Sequence, residues 1–478
     1  MKRLFLVALV CVTSSAMAGE STSVRLPGGT NVDVVTLHSD IQWPWNLVTD
    51  GDGFLWVTDR GTGNVVRIDI ATATSQNVFR GSFLGHQARP FGIVLHPDFT
   101  SGEPYVYITR TTANDKLHLV RYRYNGTELM DETVLLTVDN VPAEAGLTMK
   151  LLPDNTLLLA CGSYDTHDPS WLATANGKIL RVTLDGEPAP GNPLPDKTFP
   201  NAATNYVYTY GHRNPTGLAV VPSSHPVLAG TLFSVESGAF RNDEVNRLVP
   251  GGNYGWWRTT GYCNDVPGAT SPVCPLTTAD IVPTGCDFYT STAIPEWNGS
   301  LLVGTLLGNG LVRVRIGPDG SVLNSDSSRP ADATLAVGAD DRMVFAENDV
   351  AEDISGVHVD RYGRVFLTLT RRINNERTGR VVMISNPLVS NVADERGQKG
   401  LSVSVSPNPV VDVARITLPA SSQERRLRIT DLLGRTMDSR VLPHGDTGLD
   451  LSVVSWPAGT YIVSLVDGNN ITTATFAR

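Results

Sequence analysis

Short apolar runs, each opened or closed by Gly, Asn, Asp or Pro, recur along most of the chain, and no amphipathic helix interrupts them. Asp52-Gly53 leads into Phe54-Leu55-Trp56-Val57-Thr58, and Val65-Val66-Arg67-Ile68 follows. The same turn, run and second run return at Asn155-Thr156-Leu157-Leu158-Leu159 with Ile179-Leu180-Arg181-Val182, and at Asn298-Gly299-Ser300-Leu301-Leu302-Val303 with Leu311-Val312-Arg313-Val314. Tyr362-Gly363-Arg364-Val365-Phe366-Leu367 with Arg380-Val381-Val382-Met383 is a fourth copy. Weaker copies start near Pro104-Tyr105-Val106-Tyr107-Ile108 and Val227-Leu228. Six such units predict an all-β, six-bladed β-propeller over residues 19–390, because one β unit cannot bury both faces alone and radial stacking protects its edges. A single β-sandwich would need far fewer residues.

Residues 391–400 are polar and charged and read as a linker. Beyond them, residues 401–478 alternate in short runs: Leu401 to Val405, Ala414 to Leu418, Leu427 to Thr430, Leu449 to Leu451 and Thr460 to Leu465. That spacing predicts a small antiparallel β-sandwich.

The first 18 residues have a different pattern. Lys2 and Arg3 precede an apolar stretch from Leu4 to Val12, and Ala16-Met17-Ala18 supplies small residues for cleavage. This is the arrangement of a secretory signal peptide, with cleavage before Gly19. The apolar stretch falls well short of the roughly 20 residues that span a bilayer, and no later stretch supplies a transmembrane segment.

Composition narrows the function. The 478 residues carry a formal charge of −10, which becomes −12 once Lys2 and Arg3 leave. A net-acidic chain gains nothing from counterion release on phosphates, so general nucleic-acid binding is excluded. Of five cysteines, Cys11 leaves with the signal; Cys161, Cys263, Cys274 and Cys286 remain without a CxxC pair that would indicate zinc. Export permits a disulfide, Cys263–Cys274 or Cys274–Cys286, while Cys161 reads equally as a buried apolar residue.

Residues 401–478 resemble the C-terminal sorting domain of type IX secretion cargo. The matching blocks are Pro407-Asn408-Pro409, Asp431-Leu432-Leu433-Gly434-Arg435 and Pro457-Ala458-Gly459-Thr460-Tyr461, before a final strand and Arg478. The resemblance implies the type IX secretion machinery as a partner, and a secreted or cell-surface location reached through the periplasm and outer membrane.

The larger region resembles the soluble quinoprotein sugar dehydrogenases, which use pyrroloquinoline quinone (PQQ) with calcium. The blocks are Leu95-His96-Pro97-Asp98-Phe99, Gly177-Lys178-Ile179-Leu180-Arg181, Gly211-His212-Arg213-Asn214-Pro215-Thr216-Gly217, Asn242-Asp243-Glu244-Val245-Asn246 and Gly251-Gly252-Asn253-Tyr254-Gly255-Trp256. The family's fold, a six-bladed propeller, agrees with the repeat count. The resemblance implies a sugar or glycan ligand and oxidation of an aldose by hydride transfer to the quinone. That chemistry needs a base for the hydroxyl proton, calcium to polarise the quinone, and cations for three carboxylates.

By that resemblance Gln87, Arg213 and Asn214 bind the cofactor. Gly238 and Ala239 offer carbonyls to a catalytic calcium, with Ala239 where Pro is usual, and Glu244 and Tyr254 match a second calcium position. The alternative is that these residues only shape turns and blade contacts, and for Asn253 to Trp256 that is the favoured reading. The chain departs from the family elsewhere. Glu144 stands where the base histidine belongs, Ser163 where its orienting acid belongs, and Leu307, Val350 and Glu352 where three cations belong. Each charge-assisted hydrogen bond that such a cation would make is worth about 1.5–3 kcal/mol.

Glu144 is therefore a candidate general base, and His167, between Asp165 and Asp168, is another. His86 and Arg89 flank Gln87 and are candidates to restore positive charge. The alternative reading is a non-catalytic secreted propeller binding a glycan or protein; a calcium-dependent hydrolase using Glu144 ranks below both, since no nucleophile–base pair stands out.

Overall fold

The computed structural model describes residues 9–12, 21–81, 89–112, 116–139, 146–163, 172, 174–194, 205–238, 243–256, 258, 268–270, 274–275, 281–307, 310–323, 341–347, 350–374, 376–388, 403–406, 410–418, 425–431, 435–467 and 470–478. The chain divides into two compact units, Met1–Ser390 and Asn391–Arg478. Both are all-β; among the described residues helical structure is confined to short 3₁₀ turns such as Pro295–Trp297.

In the first unit the strands form six antiparallel sheets, in chain order. The first contains Pro44–Thr49, Phe54–Asp59, Val65–Asp69 and Ser75–Phe79, and the second Pro90–Leu95, Tyr105–Thr111, Leu117–Tyr124 and Leu129–Val138. Met149–Leu151, Thr156–Cys161, Lys178–Thr183 and Val207–Tyr210 make the third. The fourth has Pro215–Val220, Leu232–Glu236, Glu244–Arg247 and Cys274–Pro275; the fifth has Pro283–Tyr289, Ser300–Thr305, Leu311–Arg315 and Arg342–Glu347. The sixth runs Asp353–Val359, Val365–Ile373, Glu376–Ser385, and is completed by Asn31–Ile41 and Ser21–Arg25 from the other end of the unit. Leu9–Val12 lies parallel to Val344–Glu347 on the fifth sheet's edge.

The first strands of the six sheets touch in succession, and the sixth touches the first, so they close a ring. Second strands such as Thr156–Cys161 and Ser300–Thr305 are buried throughout, because sheets cover both their faces. That burial explains the near-continuous apolar runs visible in the sequence.

The first strands are less visible there, since several contain glycine in place of an apolar residue. A Cβ on Gly285 would sit 2.8 Å from Gly356 Cα, and one on Gly356 would sit 2.6 Å from the Trp45 carbonyl oxygen. Neighbouring backbones pass too closely there for a side chain. Five of these strands also carry a register shift near their start, between Pro44 and Leu47, Pro90 and Ile93, Pro215 and Gly217, Pro283 and Cys286, and Ile354 and Gly356. Irregularities of this kind at a rim re-aim the residues beside them.

Threonine hydroxyls latch one sheet to the next. Thr58 donates to the Phe91 carbonyl at 2.8 Å, Thr216 to Pro283 at 2.6 Å and Thr368 to Trp45 at 3.2 Å, while Thr109 donates to Leu147 and Thr284 to Ile354. Toward the opposite ends of the first strands, Asp287 bridges the ring. It meets Lys150 Nζ at 2.7 Å and His358 Nδ1 at 3.4 Å, and His358 Nε2 lies 2.9 Å from Thr49 Oγ1. Burial alone would raise the Asp287 pKa, but Lys150 and His358 outweigh it and hold the carboxyl well below the usual range.

Cys161 and Cys286 are both free and buried. Cys286 packs among Ala219, Val235, Val303 and Phe288, which overturns the expected alternative of a Cys274–Cys286 disulfide: its thiol faces a core. Cys263 lies outside the described residues, as does the side chain of Cys274.

The second unit has two antiparallel sheets. One holds Ser404–Ser406, Val413–Thr417 and Gly448–Ser452; the other, in spatial order, Thr436–Leu442, Arg425–Asp431, Thr460–Asp467 and Asn470–Ala477. Ala414, Ile416, Leu427, Ile429, Val463 and Phe476 share one core between them. The Thr436–Leu442 strand escapes the sequence pattern because most of its residues are exposed or half-buried. Pro407-Asn408-Pro409 and the linker at 391–400 lie outside the described residues.

Candidate functional site

In every sheet the start of the first strand, the end of the second and the start of the third lie at one end of the ring, which we call the rim. The Gly211-His212-Arg213-Asn214 turn sits on it, between the last strand of the third sheet and the first of the fourth. Gly211 has φ +78°, and a Cβ there would fall 2.2 Å from Asn253 Oδ1, so the turn requires glycine.

Beneath the turn is a buried polar network. Glu236 Oε2 accepts from the backbone N–H groups of Arg213 at 3.0 Å and Asn214 at 3.3 Å; Oε1 accepts from Asn246 Nδ2 at 2.6 Å and lies 3.1 Å from His212 Nδ1. His212 Nε2 is 2.9 Å from Thr209 Oγ1, and its ring stacks on Tyr254 with centroids 4.6 Å apart. Sequence reasoning missed Glu236. Its one signal was an acid at the end of an apolar strand, Leu232 to Val235, where nothing in the pattern distinguishes it from a solvated strand end.

Above the network, Arg213 Nη1 donates to the carbonyls of Ser237 at 3.0 Å and Gly238 at 2.9 Å. Asn214 Oδ1 accepts from Gly146 N–H at 2.7 Å, and Ser163 N–H donates to the Arg213 carbonyl at 2.6 Å. These bonds stand at the third-to-fourth boundary, among the sheet boundaries the threonine latches otherwise close. They bring Gly146, Ser163, Arg213 and Asn214 together from positions far apart in sequence.

A cavity of about 10 Å³ lies beside Arg213, bounded by Gly211, Glu236, Gly238, Glu244, Tyr254 and Trp256. That volume is near the lower limit for one water molecule or a single small ion. Arg213, Gly238, Glu244 and Tyr254, four of the residues singled out in sequence, thus surround one space. The Tyr254 hydroxyl is already engaged, donating to the Arg247 carbonyl and accepting from Val249 N–H at 3.0 Å. Burial pushes its pKa up, so that oxygen remains a protonated structural group. Among the described residues no three His, Cys, Asp or Glu side chains converge on a metal position, so backbone carbonyls would have to supply part of any donor set.

Gln87, Glu144, His167 and Ala239 lie outside the described residues, as do His86, Asp165 and Asp168. Leu307 is 67 % exposed with φ +60°. Glu352 is buried but does not face the rim as a bare charge: Arg380 binds both its oxygens, at 2.9 and 2.6 Å, and reaches Thr36 Oγ1 at 3.2 Å. The repulsion that a carboxylate at this position would exert on an anionic ligand is therefore largely cancelled.

Positive charge collects elsewhere on the rim. The guanidinium of Arg60 lies 4.1 Å from the ring centroids of Trp43, Trp45 and Phe91, and those of Arg377 and Arg89 lie 3.5 and 5.6 Å from Trp43. Asp59 fixes this corner, accepting from the backbone N–H groups of Trp43 and Gly61 at 2.8 Å each.

The profile of the glucose / sorbosone dehydrogenase family matches residues 41–349, and that of a secretion system C-terminal sorting domain matches residues 404–477. Quinoprotein glucose dehydrogenase B of Acinetobacter calcoaceticus is 29% identical over 271 residues, 49% of this chain and 54% of that protein. The chain thus spans about half the length of that relative. An aldose sugar dehydrogenase of Escherichia coli is 25% identical over 357 residues, 69% of this chain and 91% of that one. Among solved structures, the PQQ-bound form of aldose sugar dehydrogenase from Streptomyces coelicolor superposes with TM-score 0.58 at 25% identity, covering 74% of this chain and 98% of that one.

Proposed function

Because the chain belongs to the glucose/sorbosone dehydrogenase family and carries a type IX secretion sorting domain, we propose that it is an exported sugar oxidoreductase that oxidises an aldose with PQQ and calcium. In this reading the six sheets are the blades of a six-bladed propeller, the second unit is a sorting β-sandwich, and the rim is the active-site mouth. The observation that carries the proposal is the convergence at the third-to-fourth boundary. The Asn214–Gly146 and Ser163–Arg213 hydrogen bonds hold Gly146, two positions along the chain from Glu144, and Ser163, four positions before His167, against the Arg213-Asn214 turn.

The groups present fit such a site. The cavity beside Gly238 is of ionic size, and the Gly238 carbonyl, with one Arg213 contact, keeps a second lone pair for a cation. Arg213 itself is an anchor for a carboxylate. Bound PQQ would supply the hydride acceptor. Glu144 or His167 would take the proton from the sugar hydroxyl, Asn214 would position the Glu144 segment, and Glu236 would hold the turn rigid from below.

The test is titration of the purified mature chain with PQQ in calcium buffer, then aldose with an artificial electron acceptor. Saturable binding with sugar-dependent reduction is the expected result. A folded protein that binds no PQQ at micromolar concentration overturns the enzyme reading. Exposed, apolar Leu307 on the rim favours what would then remain, a non-catalytic secreted propeller binding a glycan or protein.

A further inference from the structure

Around much of the ring, side chains bridge neighbouring sheets away from its centre. Gln76 Nε2 donates to the Thr127 carbonyl at 2.9 Å between the first and second sheets, Arg121 Nη1 to Asp185 at 2.9 Å between the second and third, and Arg247 Nη1 to the Asp319 carbonyl at 3.1 Å between the fourth and fifth. Where the outer strands of the sixth sheet meet those of the first there is instead a hollow of about 190 Å³. One water needs roughly 10–15 Å³ and pockets for drug-sized molecules begin at roughly 300 Å³, so the hollow suits a ligand between the two in size.

Its walls are fixed. The chain crosses here from Asn31–Ile41 into Pro44–Thr49, and Asp59 pins the crossing by accepting from the N–H groups of Gln42 at 3.3 Å and Trp43 at 2.8 Å. The Gly61 N–H and Thr62 Oγ1 take its remaining acceptor positions. On the first sheet Val66 pairs with Asn77 and Ile68 with Ser75, which puts Ser75 and Asn77 on one face of the outermost strand. On the sixth, Ile41 pairs with Gly379 but His38 with Val381, and Asp40 between them has φ +65°. Such a bulge re-aims the side chains beside it, and Asp tolerates the left-handed backbone.

The groups lining the hollow are mixed in kind and largely unspent. Among the described residues the side chains of His38, Asp40, Ser75 and Asn77 make no hydrogen bond, and Asn64 uses only its Oδ1, which accepts from Gly81 N–H at 3.3 Å. Burial lowers the His38 pKa against the pull of Asp40 and Asp59, so the neutral ring offers one donor and one acceptor. Ile41 and Val66 add aliphatic surface. An anion would meet the carboxylates of Asp40 and Asp59. A bare cation would lack a donor set, since Asp59 is already occupied and no three His, Cys, Asp or Glu side chains among the described residues converge on a metal position. A neutral ring bearing hydroxyls on its edge and C–H groups on its face matches what is there.

We propose that this hollow between the sixth and first sheets is a second carbohydrate site, which holds one neutral sugar ring through Asp40, His38, Asn64, Ser75 and Asn77. The free Asp40 carboxylate accepts from sugar hydroxyls, the amides and Ser75 take the others, and Ile41 and Val66 support the ring face. The site stands apart from the Arg213-Asn214 turn, which lies between the third and fourth sheets, and does not depend on what the mouth binds.

The experiment titrates the full mature chain with the methyl α-glycosides of glucose, mannose and galactose, whose blocked anomeric carbon removes the hydroxyl that the proposed oxidation uses. Methyl β-glucuronide and calcium chloride serve as contrasts. The parent, Asp40→Asn and Asn77→Phe proteins are compared by calorimetry, with circular dichroism to confirm folding. Asp40→Asn keeps a residue that tolerates the left-handed backbone and removes the charge; Asn77→Phe fills the hollow from an exposed strand position. At least one neutral glycoside should bind the parent, about tenfold more weakly in Asp40→Asn, the worth of one charge-assisted hydrogen bond, and not measurably in Asn77→Phe. That glycoside should also slow amide exchange in parent peptides covering 36–41 and 62–77, a reading that needs no variant. Both variants should match the parent toward PQQ. A parent that binds no neutral glycoside, protection confined to the Arg213 turn, or unchanged glycoside affinity in folded variants overturns the site. Tighter binding of the glucuronide than of every neutral glycoside, or calcium binding that Asp40→Asn abolishes in a parent blind to glycosides, overturns the neutral-sugar assignment. None of these failures touches the proposed oxidation, which stands or falls on PQQ.

Discussion

Glu236 is the side chain on which the candidate site depends most, and replacing it gives a worked prediction. Four donors converge on its two oxygens: the backbone N–H groups of Arg213 and Asn214, Asn246 Nδ2 and His212 Nδ1. Glu236→Ala would strand them all in a region where Glu236 is 3 % exposed and His212 fully buried. Removing one partner of a buried ionic network costs about 3–5 kcal/mol. Glu236→Gln retains one acceptor oxygen but points an amide toward groups that are themselves donors. His212 can relieve part of that clash by shifting its proton to Nε2, so the cost falls to about 2 kcal/mol. At roughly 2 °C per kcal/mol for a domain of this size, the Ala variant should melt roughly 6–10 °C lower. Urea unfolding should show the midpoint falling with little change in slope. Ligand affinity at the rim should fall in both variants, because the Arg213-Asn214 turn loses its floor. An Ala variant within about 1 kcal/mol of the parent would refute the reasoning, since it would show the four donors finding other acceptors.

Further expectations follow from the rest of the first unit. Asp287, whose folded pKa is depressed, contributes stability that is present above its ordinary pKa near 3.8 and is lost as pH falls from about 4 toward the folded value. Asp287→Asn should cost about 3 kcal/mol at neutral pH, the low end for a buried pair because Lys150 is partly exposed, and flatten the acid limb of a stability–pH curve. Thr109 Oγ1 donates to the Leu147 carbonyl and accepts from Gly92 N–H, so Thr109→Val should cost about 2 kcal/mol in denaturant titration. Burial pushes the Cys161 thiol up to about 12 and raises that of Cys286 too. Peptide mapping after brief alkylation should therefore find both unmodified in the native protein and labelled only after unfolding.

How much of this the chain announces depends on how local each feature is. Second strands such as Thr156–Cys161 are covered on both faces, so their apolar runs stand out in a simple reading. First strands depend on contacts between distant segments: Gly356 is dictated by the Trp45 backbone, and no local pattern records that. The site divides in the same way. Arg213 and Asn214 are legible because they lie in a dense motif, and Ser163 because a resemblance places it. Glu236 is not, since its role arises from four partners on other segments. The Trp43 corner stays hidden for the same reason, although Arg89 stands out as a source of positive charge. The charge at Glu352 misleads a reading of sequence because its partner, Arg380, lies two strands away.

The strand Asn31–Ile41 closes the ring by pairing with Glu376–Ser385. Thr36 and Arg380, bonded across that seam, are 344 residues apart. At ordinary rates of synthesis the earlier strand would wait roughly 20–70 s for its partner to be made. During that interval it is an unpaired edge, and the matching segment of another nascent copy is as good a mate as its own. Crowded expression should therefore yield exchanged dimers joined at this seam, which dilution after full unfolding would resolve into monomers.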